Sequence, residues 1–250
     1  MSRVVSDGCG CFPTGRHYPG IAHLLKVTIR GLAPGFTNDV PWQEIDVALL
    51  DVETTGRDAS VDRVVEVGIV VGRRGDVVAR YNWLINPGIP IPAEVTAIHH
   101  ITNEMVADKP RFEAVASEIA NALRGCVPAA YNALFDRAFI MGEFSRAKSA
   151  GAADYSDVPA LTREVDWLDP LVWARDLQDN EKSRSLGDVA TRLGIKLENA
   201  HRAEDDAEAA LRVLYVLGND SRIPRAYGAM VQEQRRIAQV QADARRMWRS

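Results

Sequence analysis

The chain contains few cysteines, three among 250 residues. Cys9, Cys11 and Cys126 are too few and too scattered to form a disulfide framework, which favours a reducing compartment. No run of the sequence approaches the roughly 18 apolar residues of a membrane span. The N-terminal stretch "MSRVVSDGCGCFPTG" also lacks the apolar core of a secretory signal. We therefore expect a cytoplasmic protein with no membrane partner.

The sequence also lacks an overall positive charge, since its net charge is −4. This value at first argues against a polyanionic partner. The charge is unevenly distributed, however, because residues 219–250 contain seven arginines against three acidic residues, a balance of +4, so residues 1–218 carry −8. A basic tail on an acidic body is compatible with nucleic acid if the acidic residues gather metal ions. It is equally compatible with a requirement for solubility alone.

Three segments follow one another along the chain. Residues 1–43 are rich in glycine and proline and predict an irregular N-terminal arm. Residues 44–218 carry regular apolar patterns and form the predicted folded domain. Residues 219–250 are rich in arginine and glutamine and predict a helical C-terminal tail. Such arginines most often form a solvated helix face, and the alternative is that the tail contacts nucleic acid, a polymerase or a second copy of the chain.

The apolar patterns of the central segment predict an α/β domain. The continuous run "IDVALLDV" is typical of a buried strand. The stretches "RVVEVGIVVGRRG" and "DVVARYNWLINP" read as a hairpin closed by "RRGD". The later strand-like stretches "CVPAAYN" and "VDWLD" alternate with helical ones, so we expect a mixed sheet of five strands flanked by helices.

Two carboxylates lie at the end of the first predicted strand, in "LLDVETTG". Because side chains alternate along a strand, Asp51 and Glu53 point to the same face, about 7 Å apart. Two like charges in this position repel each other. Unless they lie at a solvated strand end, the arrangement requires a cation between them.

A third carboxylate, Asp136 in "YNALFDRAFI", follows the strand "CVPAAYN" where a helix begins. Asn132 is a credible N-cap for this helix. The positive end of the helix dipole would favour an ionised Asp136 in the first turn.

A fourth carboxylate, Asp206, heads the apolar stripe of the helix in "HRAEDDAEAALRVLYVLG". The stripe continues at Ala210, Val213, Leu214 and Leu217, whereas Asp205 lines up with the polar side. A carboxylate at the head of a buried stripe must be paired, hydrogen-bonded or metal-bound. His201 precedes Asp206 by five positions and could reach the same place.

Four carboxylates and one histidine are the groups that metal-assisted phosphodiester hydrolysis needs. Two divalent ions roughly 3.5–4 Å apart stabilise the attacking and leaving oxygens, and a histidine can take the proton from the attacking water. Oxygen ligands favour Mg²⁺ or Mn²⁺ over zinc.

The same residues resemble a known family. "DVETTG", "YNALFD" and "HRAEDDA" resemble, in that order, the three motifs of the DnaQ-like 3′–5′ exonucleases, the DEDDh branch of the ribonuclease H-like fold. "IHHIT" is similar to the His-Gly-Ile-Thr segment of the family, with His100 at the usual glycine. The resemblance covers residues 45–217. It implies a five-stranded sheet in the order 3-2-1-4-5 with strand 2 antiparallel.

The resemblance also implies roles for the matching residues. Asp51, Glu53 and Asp206 would hold one metal ion, Asp51 and Asp136 would position a second, and His201 would be the general base. The residues implied to contact substrate are Thr54, Thr55, Gly56, His99, Asn132 and Phe135.

The function implied by the resemblance is metal-dependent removal of nucleoside 5′-monophosphates from the 3′ end of single-stranded DNA. The first motif is closest to those of the proofreading exonucleases of the DNA polymerase III epsilon type, since oligoribonucleases resemble "DMEMTG" at this place. Two alternatives stay open. One is an exoribonuclease that acts on RNA 3′ ends or short RNA, and the other is a catalytically idle nuclease fold that binds a polymerase.

Overall fold

The structure is a computed structural model, and it describes residues 30–197 and 201–247. Most of the predicted N-terminal arm, residues 1–29, lies outside the described residues. The centre of the fold is a mixed sheet in the order β3-β2-β1-β4. Its strands are β1 (Val47–Thr54), β2 (Val64–Arg73), β3 (Asp76–Leu84) and β4 (Val127–Ala129).

Helices cover both faces of the sheet. Within the described ranges they are α1 (Ala93–His99), α2 (Asn103–Val106), α3 (Phe112–Leu123), α4 (Leu134–Ser149), α5 (Pro170–Leu177), α6 (Leu186–Arg192), α7 (Ala203–Leu217) and α8 (Tyr227–Met247). None of these helices is both long and apolar enough to cross a bilayer.

Strand β1 lies between two hydrophobic cores. Val47 and Leu49 pack into the core that contains α7 and the first half of α8. Ala48 and Leu50 pack into the opposite core with α3 and α4. Because both faces are covered, both faces of the strand must be apolar, which explains its unbroken hydrophobic run. The α/β prediction is confirmed.

The predicted hairpin joins β2 and β3. Arg74 and Gly75 form its turn with φ values of 56° and 90°. Two successive left-handed residues are characteristic of the tight turn that matches the twist of antiparallel strands. The register of β1 with β2 is antiparallel and that of β1 with β4 is parallel, as expected.

The expected fifth strand is reduced to one parallel bridge between Ala129 and Leu168, so the described sheet has four strands. The segment leaves the sheet immediately after Leu168 for a physical reason. Asp169 caps helix α5 by accepting the N–H of Leu171, and its own N–H is bound by the side chain of Gln234. No backbone group of Asp169 therefore continues the ladder.

Helix α8 lies in the segment predicted as a helical tail, and its first half packs on the domain. Tyr227, Met230 and Val231 are buried, and the hydroxyl of Tyr227 accepts the N–H of Ala33. The second half of the helix is mostly exposed. The boundaries at residues 43/44 and 218/219 stay a prediction.

Candidate active site

The site begins at the C-terminal end of β1. Asp51 pairs across the sheet with Gly68, and Glu53 pairs with Glu66. The register shifts between Glu53 and Thr54, which ends the regular ladder at this point. Asp51 and Glu53 share the strand face of Leu49, so they point toward helix α7.

Helix α7 and the segment just before it bring two more groups to this face. One ligand atom each from Glu53, His201 and Asp206 lies within 4.8 Å of the others. The N–H of His201 donates to Oδ2 of Asp206 at 3.0 Å, and His201 has a left-handed φ of 66°. This contact fixes the backbone of the histidine against the carboxylate.

Gly68 in β2 allows helix α7 to lie against the sheet. A Cβ at this position would lie 2.2 Å from the carbonyl carbon of Ala203 and 2.3 Å from the nitrogen of Glu204. Both atoms belong to the backbone, so they cannot move aside without moving the helix. The sequence analysis missed this requirement, although a glycine inside an apolar strand is a signal of close backbone approach.

Asp136 reaches β1 from helix α4. Its buried carboxylate accepts the N–H of Val52 at 3.0 Å, which joins the helix start to the strand that carries Asp51. The prediction that Asn132 is the N-cap is wrong. Ala133 occupies the cap position, and no side chain caps the helix.

The turn before α4 is held instead by a distant residue. The two carboxylate oxygens of Asp169 accept the N–H groups of Asn132 and Ala133 at 3.0 Å each. Asn132 has a φ of 70°, a backbone conformation that asparagine tolerates better than most residues. Sequence reasoning missed Asp169, whose signal is an aspartate directly before a helix that starts with proline.

The four carboxylates share an electrostatic environment that disfavours their ionisation. Burial, followed by the charges of Asp136 and Asp206, raises the pKa of Asp51 well above its usual value. Burial and the neighbouring acids raise the pKa of Glu53 to about 8. Burial likewise raises the pKa of Asp136 and of Asp206. A bound cation would relieve this repulsion.

The loop after β1 is organised by its two threonines. The hydroxyl of Thr54 donates to the carbonyl of Gly56 at 2.5 Å, and that of Thr55 donates to Asp62 at 3.3 Å. A Cβ on Gly56 would clash with the carboxylate of Asp62. The threonine hydroxyls therefore shape the loop beside Glu53.

His99 is buried at the end of helix α1. Its Nδ1 accepts the N–H of Ile101 at 3.0 Å, whereas its Nε2 has no hydrogen-bond partner in the part of the chain that the structure describes. Burial lowers its pKa. His100 keeps the left-handed backbone, with a φ of 62°, at the position where the family commonly has glycine.

The remaining two predicted contacts flank Asp136 on the surface side. Asn132 is exposed and Phe135 is half-buried. The ring of Phe135 packs on that of Phe139 with centroids 4.9 Å apart.

Two further buried carboxylates surround the site, and sequence reasoning gave them no role. Glu66 accepts the guanidinium of Arg202 at 2.7 Å and the N–H of Ala203 at 3.1 Å, at the start of α7. Glu143 on α4 accepts two hydrogen bonds of 2.8 Å from Arg63. Their signal is an acid inside an apolar strand for Glu66 and an acid on the buried side of a helix for Glu143.

Four carboxylates and a histidine near one end of a mixed sheet are the groups that a metal-dependent phosphodiesterase requires. Comparison with known proteins gives the particular family. The sequence profile of a family described as exonuclease matches residues 48–214, and the chain belongs to this family. The resemblance to DnaQ-like 3′–5′ exonucleases is confirmed, and the protein is a 3′–5′ exonuclease.

Similar proteins include two kinds of DNA polymerase III protein. The chain is 32% identical over 173 residues to the DNA polymerase III subunit epsilon of Treponema pallidum (strain Nichols), covering 68% of this chain and 75% of that protein. It is also 32% identical over 178 residues to the DNA polymerase III PolC-type of Streptococcus pneumoniae serotype 2 (strain D39 / NCTC 7466). That match covers 71% of this chain and only 11% of the PolC-type protein.

Solved structures share the fold. Exonuclease X in complex with 5′ overhanging duplex DNA has a TM-score of 0.54 and 24% identity, over 73% of this chain and 99% of that one. Exonuclease I of E. coli in complex with a dT13 oligonucleotide has a TM-score of 0.59 and 18% identity, over 70% of this chain and 41% of that one.

Proposed function

We propose that this protein removes nucleoside 5′-monophosphates one at a time from the 3′ end of single-stranded DNA. The observation that carries the proposal is the convergence of Glu53, Asp206 and His201 within 4.8 Å, beside the half-buried Asp51 and the buried Asp136. An acidic cluster of this kind repels a DNA phosphate unless cations are bound to it.

The residues fit a pair of divalent ions. Their donor set consists of carboxylate oxygens with one imidazole nearby, which suits Mg²⁺ or Mn²⁺. Burial and the mutual repulsion of the acids raise the pKa of Asp51 and of Glu53, and bound cations would offset both effects. Asp51, Glu53 and Asp206 would hold one ion, and Asp51 and Asp136 would position the other. When bound, the two ions would stabilise charge on the attacking and leaving oxygens.

The protein itself would supply the base and its orientation. His201 is exposed, so its imidazole can take a proton from the attacking water and pass it to solvent. The hydrogen bond from its N–H to Asp206 holds the base beside the carboxylates. The negative charge of Glu53 and Asp206 would stabilise the imidazolium that forms.

The substrate assignment draws on the relatives. Two are DNA polymerase III proteins, and the solved neighbours are described in complexes with DNA. We infer that the loop of Thr54, Thr55 and Gly56 lies along the terminal nucleotide, with His99, Asn132 and Phe135 beside it. A polymerase is the natural partner of such an exonuclease.

Purified protein with Mg²⁺ and 5′-labelled oligomers tests the proposal. DNA and RNA of equal sequence, single-stranded and duplex, are compared as product ladders on a gel. We expect single-nucleotide shortening of single-stranded DNA and its loss in Asp51→Ala, which should stay folded by circular dichroism. Full activity of Asp51→Ala, or activity that a chelator leaves unchanged, would contradict the mechanism. Faster shortening of RNA would reassign the substrate to RNA 3′ ends.

A further inference from the structure

A cleft with apolar walls and several charged side chains lies beside the turn that precedes helix α4. It has a volume of about 340 Å³ and runs between this turn and the outer half of helix α8. Four arginines and two aspartates are among its lining residues: Arg137, Arg175, Arg235, Arg245, Asp166 and Asp169. The charged groups of the cleft thus have a surplus of two positive charges.

The two aspartates are already occupied. Asp166 is paired with Arg235 on α8. Asp169 accepts three backbone N–H groups, those of Asn132, Ala133 and Leu171. Neither carboxylate is therefore available to pair with the other arginines of the cleft.

The remaining arginines have no carboxylate bound to them. Arg137 donates to the backbone carbonyls of Thr162 and Arg163. Arg175 and Arg245 form no hydrogen bond or ion pair within residues 30–197 and 201–247. Burial and the neighbouring charge of Arg245 lower the pKa of Arg175. Asp169 offsets part of the charge of Arg175, but no carboxylate forms an ion pair with either guanidinium, so the two groups lining the cleft can attract a further anion.

The turn before α4 lies between the cleft and Asp136. Asn132 and Ala133 line the cleft, and they precede Asp136 by one helical turn. Leu134, also in its lining, is an apolar side chain with 81% of its surface exposed. An exposed apolar group beside arginines suits a strand that offers bases and phosphates in alternation.

We propose that this cleft binds the phosphate backbone of the single strand whose 3′ end lies in the active site, with Arg175 and Arg245 on phosphates upstream of the scissile bond. This assignment rests on the proposed function. Under this proposal the C-terminal helix α8 contacts the substrate, and the affinity for single-stranded DNA increases with the length of the strand.

A direct binding measurement tests the cleft without requiring catalysis. The probe is fluorescein-labelled oligothymidylate with hydrolysis-resistant phosphorothioates at its 3′ end, in Mn²⁺, read by fluorescence anisotropy. The variant Arg175→Gln/Arg245→Gln is compared with Arg236→Gln/Arg246→Gln. The control also removes two positive charges, both from α8, but its arginines pair with Glu233 and Asp243 outside the cleft.

We expect the cleft variant to bind roughly tenfold more weakly, and the slope of log Kd against log salt to fall by about 1.4, the value for two phosphate contacts on a single strand. The control should stay within about twofold of the unmodified protein. Equal losses in the two variants, or none in either, would overturn the proposal.

Hydrolysis assays separate this proposal from the function on which it rests. The p-nitrophenyl ester of thymidine 5′-monophosphate has no upstream phosphates, whereas an oligothymidylate has several. In the cleft variant, kcat/KM on the oligomer relative to that on the ester should fall roughly tenfold. An unmodified protein that hydrolyses neither substrate, yet shows the difference in binding, would refute the proposed exonuclease function and support the cleft.

Discussion

The structure contains two groups of acidic residues with low exposure to solvent. The members of one group are paired with arginines, and the members of the other are not. Glu66 and Glu143 are almost completely buried, and each is paired with an arginine and a backbone N–H. The carboxylates around Asp51 are also withdrawn from water. Among the described residues no arginine or lysine forms an ion pair with Asp51, Glu53, Asp136 or Asp206.

The pKa shifts follow this difference. Burial would raise the pKa of Glu143, but Arg63 and Arg146 hold it below the usual value. The pKa of Glu53 is raised to about 8, although Arg202 lies close enough to lower it slightly. The same protein can therefore neutralise a buried carboxylate when the fold requires it. Asp51, Glu53, Asp136 and Asp206, called the open carboxylates below, have no such partner, and we propose that cations from solution neutralise them.

The largest effect is expected when one open carboxylate is neutralised. Asp51→Asn should lower kcat by at least about 1000-fold, because a ligand shared by both ions is lost. The metal-free variant should unfold at the same temperature or higher, because one repulsive charge is removed. Steady-state hydrolysis and thermal unfolding in EDTA measure the two effects. A variant that loses activity only because it unfolds would contradict this separation.

The opposite result is expected for a paired carboxylate. Glu143→Gln should lower the free energy of unfolding by about 2–3 kcal/mol, because Arg63 and the N–H of Val64 lose a charged acceptor. Denaturant titration measures the change. Glu233→Gln, which breaks an exposed pair with Arg236, should cost less than about 0.5 kcal/mol. Equal losses of unfolding free energy in the two variants would show that the buried pair stabilises the protein no more than the exposed pair does.

The approach of helix α7 to the sheet links the two groups, because Glu66 and Asp206 both meet its first turn. Gly68→Ala should destabilise the protein by about 1–3 kcal/mol through overpacking. The loss of activity should be larger than the loss of folded protein alone would cause, because Asp206 moves with the helix. Gly187→Ala is the control, since a Cβ there meets nothing within 4 Å. Normal activity of Gly68→Ala would show that the helix can shift without moving Asp206.

The sequence predicted the open carboxylates better than the paired ones. Asp206 could be assigned to the buried side of α7 because helical periodicity is a local property, and the motifs supplied Asp51, Glu53 and Asp136. Glu66 and Glu143 depend on arginines that are 136 and 80 positions away in the chain. No local pattern reports such a pair.

The errors in the fold have a similar origin. The fifth strand was expected from "VDWLD", but the segment forms only one bridge, at Leu168. The N–H of Asp169, the next residue, donates to Gln234, and Asp169 caps α5 instead of continuing the strand. Asn132 has the right side chain for an N-cap, yet Asp169 holds its N–H instead. In both cases a long-range contact replaced the local preference.

The two groups should also respond oppositely to pH. The pKa of Glu53 rises from 4.5 to about 8 on folding, so its contribution to stability is present below pH 4.5 and is lost progressively as the pH rises from 4.5 to about 8. The pKa of Glu143 is lowered, so its contribution is present near neutral pH and lost in acid. In EDTA, Glu53→Gln should reduce the fall in Tm that occurs as the pH rises from 4.5 to about 8. Glu143→Gln should reduce the fall in Tm that occurs as the pH is lowered into the acid range. Mn²⁺ should raise Tm more at about pH 8 than at about pH 5, because protons compete with the ion. A fall in Tm that Glu53→Gln leaves unchanged would assign it to other groups.

The smallest effect concerns backbone strain, which is also concentrated near the open carboxylates. In the described chain, the non-glycine residues with positive φ are Arg74 in the hairpin and three others near the site, His100, Asn132 and His201. His100→Gly should stabilise the protein by about 0.5–1 kcal/mol, since glycine adopts this conformation without the Cβ penalty. Ala97→Gly, on the exposed side of α1, adds the same chain entropy without relieving strain and should cost about 1 kcal/mol. Denaturant titrations of the pair measure the difference, and equal losses would mean that His100 is not strained. A gain in stability accompanied by a higher KM for DNA would show that the strain is retained because the imidazole of His100 contacts the substrate.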